Sequence, residues 1–151
     1  MSDSRYAVED ILNNFDALLH DVDFSKELRL LGIGAFNILQ RKQMLLELYG
    51  IYMGLWSLAL RRSFPHDEHE IFRAFMERHA QRHPDRRSAQ LRQRGQQYRD
   101  LLLSAGDQDF TVVSRHLLTF TQRDDATVKA LSLRMALLLR ATYTFIFERL
   151  I

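Results

Sequence analysis

The chain has 151 residues, 46% of them hydrophobic, with two prolines and six glycines, which is enough apolar material for one ordered domain around its own core. It contains no cysteine, which excludes disulfides, thiolate nucleophiles and zinc–cysteine sites. The formal charge of +2 conceals an asymmetry: residues 1–27 carry seven acids against Arg5 and Lys26, whereas residues 78–99 carry seven arginines against Asp85.

Ser4 to His20 is expected to be a first helix, with Val8, Ile11, Leu12, Phe15, Leu18 and Leu19 at helical spacing and the acids off that stripe. No basic segment followed by an apolar run opens the chain, so no signal peptide and a cytoplasmic location are expected. Asp21 to Asp23 connect to a short helical piece, Phe24–Leu31, with Ser25 as N-cap and Leu28 and Leu31 turned inward. Gly32 and Gly34 read as its terminus and a bend. A phosphate-binding turn would need a preceding strand and a third glycine.

The long central helix is expected over about 35–64, ended by Pro65. From Met44 to Leu60 it holds a single charge, Glu47, and its small and polar residues fall on one narrow face: Gln43, Glu47, Gly50, Gly54, Ser57 and Arg61. A helix apolar over the rest of its circumference is the buried centre of a domain. As a membrane span it would be short, charged and glycine-interrupted, and none is expected here. Glycine costs roughly 1 kcal/mol relative to alanine in a helix interior, so Gly50 and Gly54 on one face ask for a reason. Either another helix packs closely there, or Glu47, Gly50, Gly54 and Ser57 floor a crevice for a small molecule or cofactor.

A fourth helix opens at Pro65-His66-Asp67-Glu68 with Ile71, Phe72, Phe75 and Met76 as its buried stripe, extended by His79 and His83. His79 and His83 stand at i and i+4, the spacing at which two imidazoles can share a metal ion. Neither Glu-x-x-His nor His-Glu-x-x-His occurs, so di-iron and zincin chemistry is excluded. A fifth helix runs from Asp85 to about Ala105, with Gly106 past its end. Ser88, Leu91, Gly95, Tyr98 and Leu102 form its narrow inward face, bordered by Arg87 and Arg94 on one side and Arg92 and Arg99 on the other. These arginines suit either phosphates of a nucleic acid or acidic protein surfaces, and their position beside the apolar stripe favours the acidic partner, the first helix being a candidate.

Asp107 or Asp109 caps a sixth helix, Phe110–Thr121, with Val112, Val113, Leu117 and Phe120 inward. Asp124 or Asp125 caps the last, about 126–150, with Leu131, Met135, Leu138, Leu139, Phe145, Ile146 and Leu150 on its main face. Leu133, Leu137 and Ala141 extend its apolar surface beyond one core contact, which points to a second subunit. No segment alternates in the manner of a strand, and no nucleophile elbow or phosphate-cradling loop occurs.

The expectation is therefore an all-α single domain, residues 1–151, of six or seven helices around the central and C-terminal helices. A non-enzymatic, homodimeric protein-interaction module is the leading reading. Leu133, Leu137 and Ala141 would lie at the interface, and Arg87, Arg92, Arg94 and Arg99 would form a docking face. The alternatives are a small-molecule or cofactor site on the Glu47–Ser57 stripe and nucleic-acid binding through residues 78–99.

Overall fold

Asn37 begins the longest helix by accepting the backbone N–H of Gln40 on its side chain, and all residues from Gly50 to Leu60 are buried. In the computed structural model the chain is described from residue 2 onward except 35–36 and 106–108, with side chains from residue 7. Seven helices form among these residues: α1 (Ser2–Asp21), α2 (Ser25–Leu30), α3 (Ile38–Ser63), α4 (Glu68–Arg82), α5 (Arg86–Ala105), α6 (Thr111–Leu118) and α7 (Asp125–Glu148). No strand is present among them, and they make one helical bundle around α3.

Local chemistry sets the boundaries. Ser25 lies inside α2 rather than capping it: the Asp23 carboxylate accepts the Ser25 N–H at 2.9 Å and so satisfies a first-turn donor. Gly32, at φ +72°, ends α2. Its N–H returns to Arg29 O and the Ile33 N–H to Leu28 O, the paired bonds of a glycine-terminated helix, with Leu28 and Ile33 both buried. Asp109 accepts the Thr111 N–H before α6, and Asp124 accepts the Thr127 N–H at 2.7 Å before α7. The alternative cap Asp107, the expected terminator Gly106, and the expected start of the central helix at Ala35 lie outside the described residues.

Contacts between numbered positions give the helix directions. Along α3, Glu47 meets Arg94, Gly50 meets Arg94 and Tyr98, and Gly54 meets Tyr98 and Leu102, so α3 and α5 run parallel. Between them α4 runs the other way: Trp56 of α3 packs on Phe72 and Phe75, and Glu68 at the start of α4 bonds Arg99 late in α5. α1 seals the aromatic centre. The Phe15 ring stacks on Trp56 with centroids 4.1 Å apart and meets Phe75 edge-on at 5.0 Å. On the opposite side α7 buries Ser132, Met135, Leu139, Tyr143 and Ile146 against α3 and α6. Side chains as large as Trp56, Phe15 and Phe75 stabilise the fold by about 1.5–3 kcal/mol each through burial.

Three expected inward positions lie elsewhere, among them His83, which is exposed at the C-cap of α4. Val112 is exposed because α6 turns Val113, Leu117 and Leu118 to the core. Phe145 is exposed because the buried line of α7 passes through Tyr143 and Ile146, leaving Phe145 on the flank.

The glycines of α3 mark its closest approach to α5. A Cβ on Gly54 would lie 3.0 Å from the Tyr98 backbone carbon and 3.1 Å from the Arg99 nitrogen, atoms that cannot swing aside. One on Gly50 would meet Arg94 Cβ at 2.7 Å, and Gly95 of α5 reciprocates against Met53. Gly54→Ala gains roughly 1 kcal/mol of helix propensity but overpacks the seam by about 1–3 kcal/mol, so lower stability is expected. Gly34→Ala, with no atom within 4 Å of the added Cβ, is the control that leaves the chain at least as stable. Denaturant midpoints of the two variants measure this difference.

Candidate functional site

The four residues singled out on α3 do come together, but as a helix–helix seam. Glu47 is buried and accepts from Arg94 Nε at 2.7 Å and from the Tyr98 hydroxyl at 2.8 Å. Ser57 donates to Glu68 Oε1, and Gly50 and Gly54 lie beneath α5. The expected crevice is therefore filled: the space a ligand would need along Glu47–Gly50–Gly54–Ser57 is taken by Arg94, Tyr98 and Leu102. Burial, together with the Glu47 charge and hydrogen bond, pushes the Tyr98 phenol above its usual range, so it stays a donor to the carboxylate.

The arginines of α5 dock within the chain. Arg99 forks onto Glu68, Nε to Oε1 at 2.7 Å and Nη2 to Oε2 at 2.8 Å, while its guanidinium lies 5.1 Å from the Phe72 ring centre. Burial alone would raise the Glu68 pKa, but the hydrogen bonds from Arg99 and Ser57 and the charges of Arg99 and Arg61 outweigh it and hold the carboxyl below its usual range. Arg92 donates to His79 Nδ1 at 2.9 Å and to His83 O at 3.0 Å, and Arg87 reaches Lys42 O at 3.5 Å. The acidic first helix does receive arginines, though from α4: Asp16 pairs with Arg78 and, at 3.3 Å, with Arg82. Of the four α5 arginines expected at an interface, Arg92, Arg94 and Arg99 thus hold partners inside the bundle, while Arg87 is exposed.

His79 and His83 have ring centroids 4.7 Å apart. Arg92 occupies Nδ1 of His79, and no group of three metal-binding side chains gathers among the described residues. Burial, then the nearby His83 and Arg92, push the His79 pKa down to about 4, so the ring is the neutral acceptor that Arg92 needs.

On α7 one row of outward residues is apolar, with Arg134 and Arg140 exposed beside it. Leu133 is 56% exposed, Leu137 67% and Phe145 44%, with exposed Ala141 between them at the same four-residue interval. By length and composition α7 is also the one helix among the described residues long and apolar enough to cross a membrane, and 28% of its most apolar 18-residue stretch is buried. Beside the stripe, a shallow groove of ≈ 260 Å³ runs between α6 and α7, lined by Phe110, Thr111, Leu133, Ala136 and Leu137.

A larger cavity, of ≈ 670 Å³, opens where the end of α1, the start of α2, the middle of α3 and the last turns of α7 converge. Of its lining residues the sequence singled out Ala141 alone, and as an interface position. The signal was present, since Glu27 stands four residues before the inward Leu31 and therefore shares its face. Among the described residues, fold and geometry define an all-α bundle with an exposed apolar row on α7 and a sizeable cavity at its last turns. No protein-family model, curated protein or solved structure matches the chain.

Removing one partner of the buried fork leaves the other charge stranded, so Arg99→Ala is expected to cost about 3–5 kcal/mol in urea unfolding. Combining it with Glu68→Gln should return part of that loss, because the orphaned charge disappears. A second expectation concerns pH. Folded His79 binds its proton only near pH 4, whereas the unfolded side chain does so near 6.5. The unfolded state therefore holds more protons in that window, and this part of the stability, complete above pH 6.5, is lost as pH falls toward 4. His79→Gln should flatten the slope of the urea midpoint across the window.

Proposed function

We propose that the protein is a non-enzymatic, homodimeric helical module in which the outward face of α7 joins two copies. The observation that carries this reading is the apolar stripe Leu133–Leu137–Ala141–Phe145, exposed on a helix whose opposite face is already committed to the core. Isolated apolar residues on a surface need no explanation, but a continuous row rimmed by charge does.

A second copy fits the stripe because the row is self-complementary. Under a two-fold axis between Leu137 and Ala141, each leucine would seat over the partner's alanine, and Leu133 would face Phe145. Lys129 would then stand opposite the partner's Arg149, so the apolar row and not the end charges carries the contact. The neighbouring groove between α6 and α7 offers room for a ridge from the partner helix. Residues four apart form the ridges that pack helices at a crossing angle of roughly −50°, which concentrates contact at the Leu137–Ala141 centre.

Leu137→Arg places a charge at that centre without touching the core. Analytical ultracentrifugation is expected to give twice the 17.8 kDa chain mass for the wild type and the single mass for the variant, with equal helical circular dichroism. A wild type that sediments as a monomer overturns the reading. Co-flotation of the wild type with neutral lipid vesicles, lost in the variant, would assign the face to a membrane surface instead.

A further inference from the structure

The cavity at the junction of α1, α2, α3 and α7 has the size of a small-molecule site, and most of its wall is apolar: Leu18, Val22, Leu138, Phe145 and the ring of Tyr52. One group does not belong in such a wall. Glu27 lines the cavity at 7% exposure, and its Oε2 has no hydrogen-bond partner among the described residues. A carboxylate oxygen left so is costly, because its water has been removed and nothing has replaced it.

The charges around Glu27 do not supply the missing partner. Asp21 and Asp23 line the same cavity, and Lys26, the adjacent cation, is exposed. Arg149 lines the cavity too, but its guanidinium lies 3.7 Å from the Phe145 ring centre, donates to Phe145 O at 3.2 Å and pairs with Glu148 at 3.7 Å. Three carboxyls thus face two cations, one solvated and one engaged elsewhere. An anion would meet those carboxyls, and a purely apolar ligand would leave Oε2 as bare as before. A donor cation satisfies it.

We propose that this cavity binds a small organic amine, a protonated ammonium on an apolar body, with the ammonium donating to Glu27 and the body lying among Leu18, Val22, Leu138 and Phe145. The Tyr52 ring gives the ammonium an aromatic neighbour, which favours cations further. Burial raises the Glu27 pKa in the empty cavity, with Asp23 adding to it, and an ammonium counter-charge would reverse that penalty. The cavity shares Ala141 and Phe145 with the proposed dimer stripe, whereas Leu137, at the centre of that stripe, does not line it.

The probes are 2-phenylethylamine and its neutral counterpart 2-phenylethanol, of nearly the same shape, titrated into the full chain and followed by amide NMR shifts and calorimetry. The amine is expected to shift resonances around Glu27, Tyr52 and Thr142 and to bind at least about tenfold more tightly than the alcohol, a difference of about 1.4 kcal/mol. Glu27→Gln removes a buried charge and is expected to fold as well as the wild type while bringing the amine down to the alcohol's affinity. Leu137→Arg should retain the amine preference, so a failed dimer and a failed ligand site are told apart. Equal binding of amine and alcohol, no binding of either, or an amine preference that survives Glu27→Gln would overturn the proposal. Tighter binding of the alcohol would do so as well, and would mark Glu27 as a protonated donor.

Discussion

The backbone approach of α3 to α5 is the constraint on which the rest of the bundle depends. Gly50, Gly54 and Gly95 let the two parallel helices come so near that a methyl group at any of them would strike its neighbour. Parallel neighbours joined by a single return helix oblige α4 to lie across both, and that places Glu68 within reach of Ser57 and Arg99 together. The seam is closed at one end by Glu47 with Arg94 and Tyr98, and at the other by Glu68 with Arg99 and Ser57. These buried pairs do not drive folding, because desolvating each charge offsets most of its attraction. What they impose is register. A slide of one helical turn along α5 would strand both carboxylates at once. The apolar contacts of Trp56, Phe15 and Phe75 supply the driving force, and the two ion pairs decide which alignment of α3 and α5 it is applied to.

That economy has a consequence for the surface. Within the segment of highest positive charge, Arg92, Arg94 and Arg99 reach partners inside the bundle, while Arg82, Arg86 and Arg87 are exposed. Arg92, Arg94 and Arg99 border the apolar stripe of α5, and a long side chain at such a border can extend its stem over apolar surface while its head reaches a buried carboxylate or imidazole. Asp16 plays the same part for Arg78 and Arg82, tying α1 to α4. The inner line of α7 is buried, one outer row is apolar and open, and its last turns wall a cavity whose other side holds an unpaired carboxyl. The two proposals arise from opposite imbalances: apolar surface without cover, and a polar atom without a partner.

Much of this was legible in the chain itself. The near-continuous apolar run from Met44 to Leu60 marks a buried helix because only the centre of a domain offers apolar surroundings on nearly all sides, and the glycine and aspartate signals place the element ends to within a few residues. Two interpretations of the α3 stripe were open, close packing and a ligand crevice, and periodicity has no means of choosing between them: a face of small residues looks the same whether a helix or a ligand covers it. The same limit applies to His79 and His83, whose spacing is compatible with a metal until Arg92 is seen to occupy the ring nitrogen. The positions of Val112 and Phe145 were misjudged because a helix with apolar residues on two flanks does not declare which flank the core will take.

Local physics, then, was determined by the sequence alone: which segments are helical, where capping groups stop them, which helix is central, and that cysteine chemistry has no place here. Each of these depends on residues within a few positions of one another, where backbone geometry fixes who can meet whom. Only the tertiary structure decided the rest. Glu47 and Arg94 are 47 residues apart, Glu68 and Arg99 31, and the walls of the Glu27 cavity are drawn from four helices. Such meetings follow from the directions in which helices pack, and those are chosen by the fit of whole surfaces, a property no local pattern encodes.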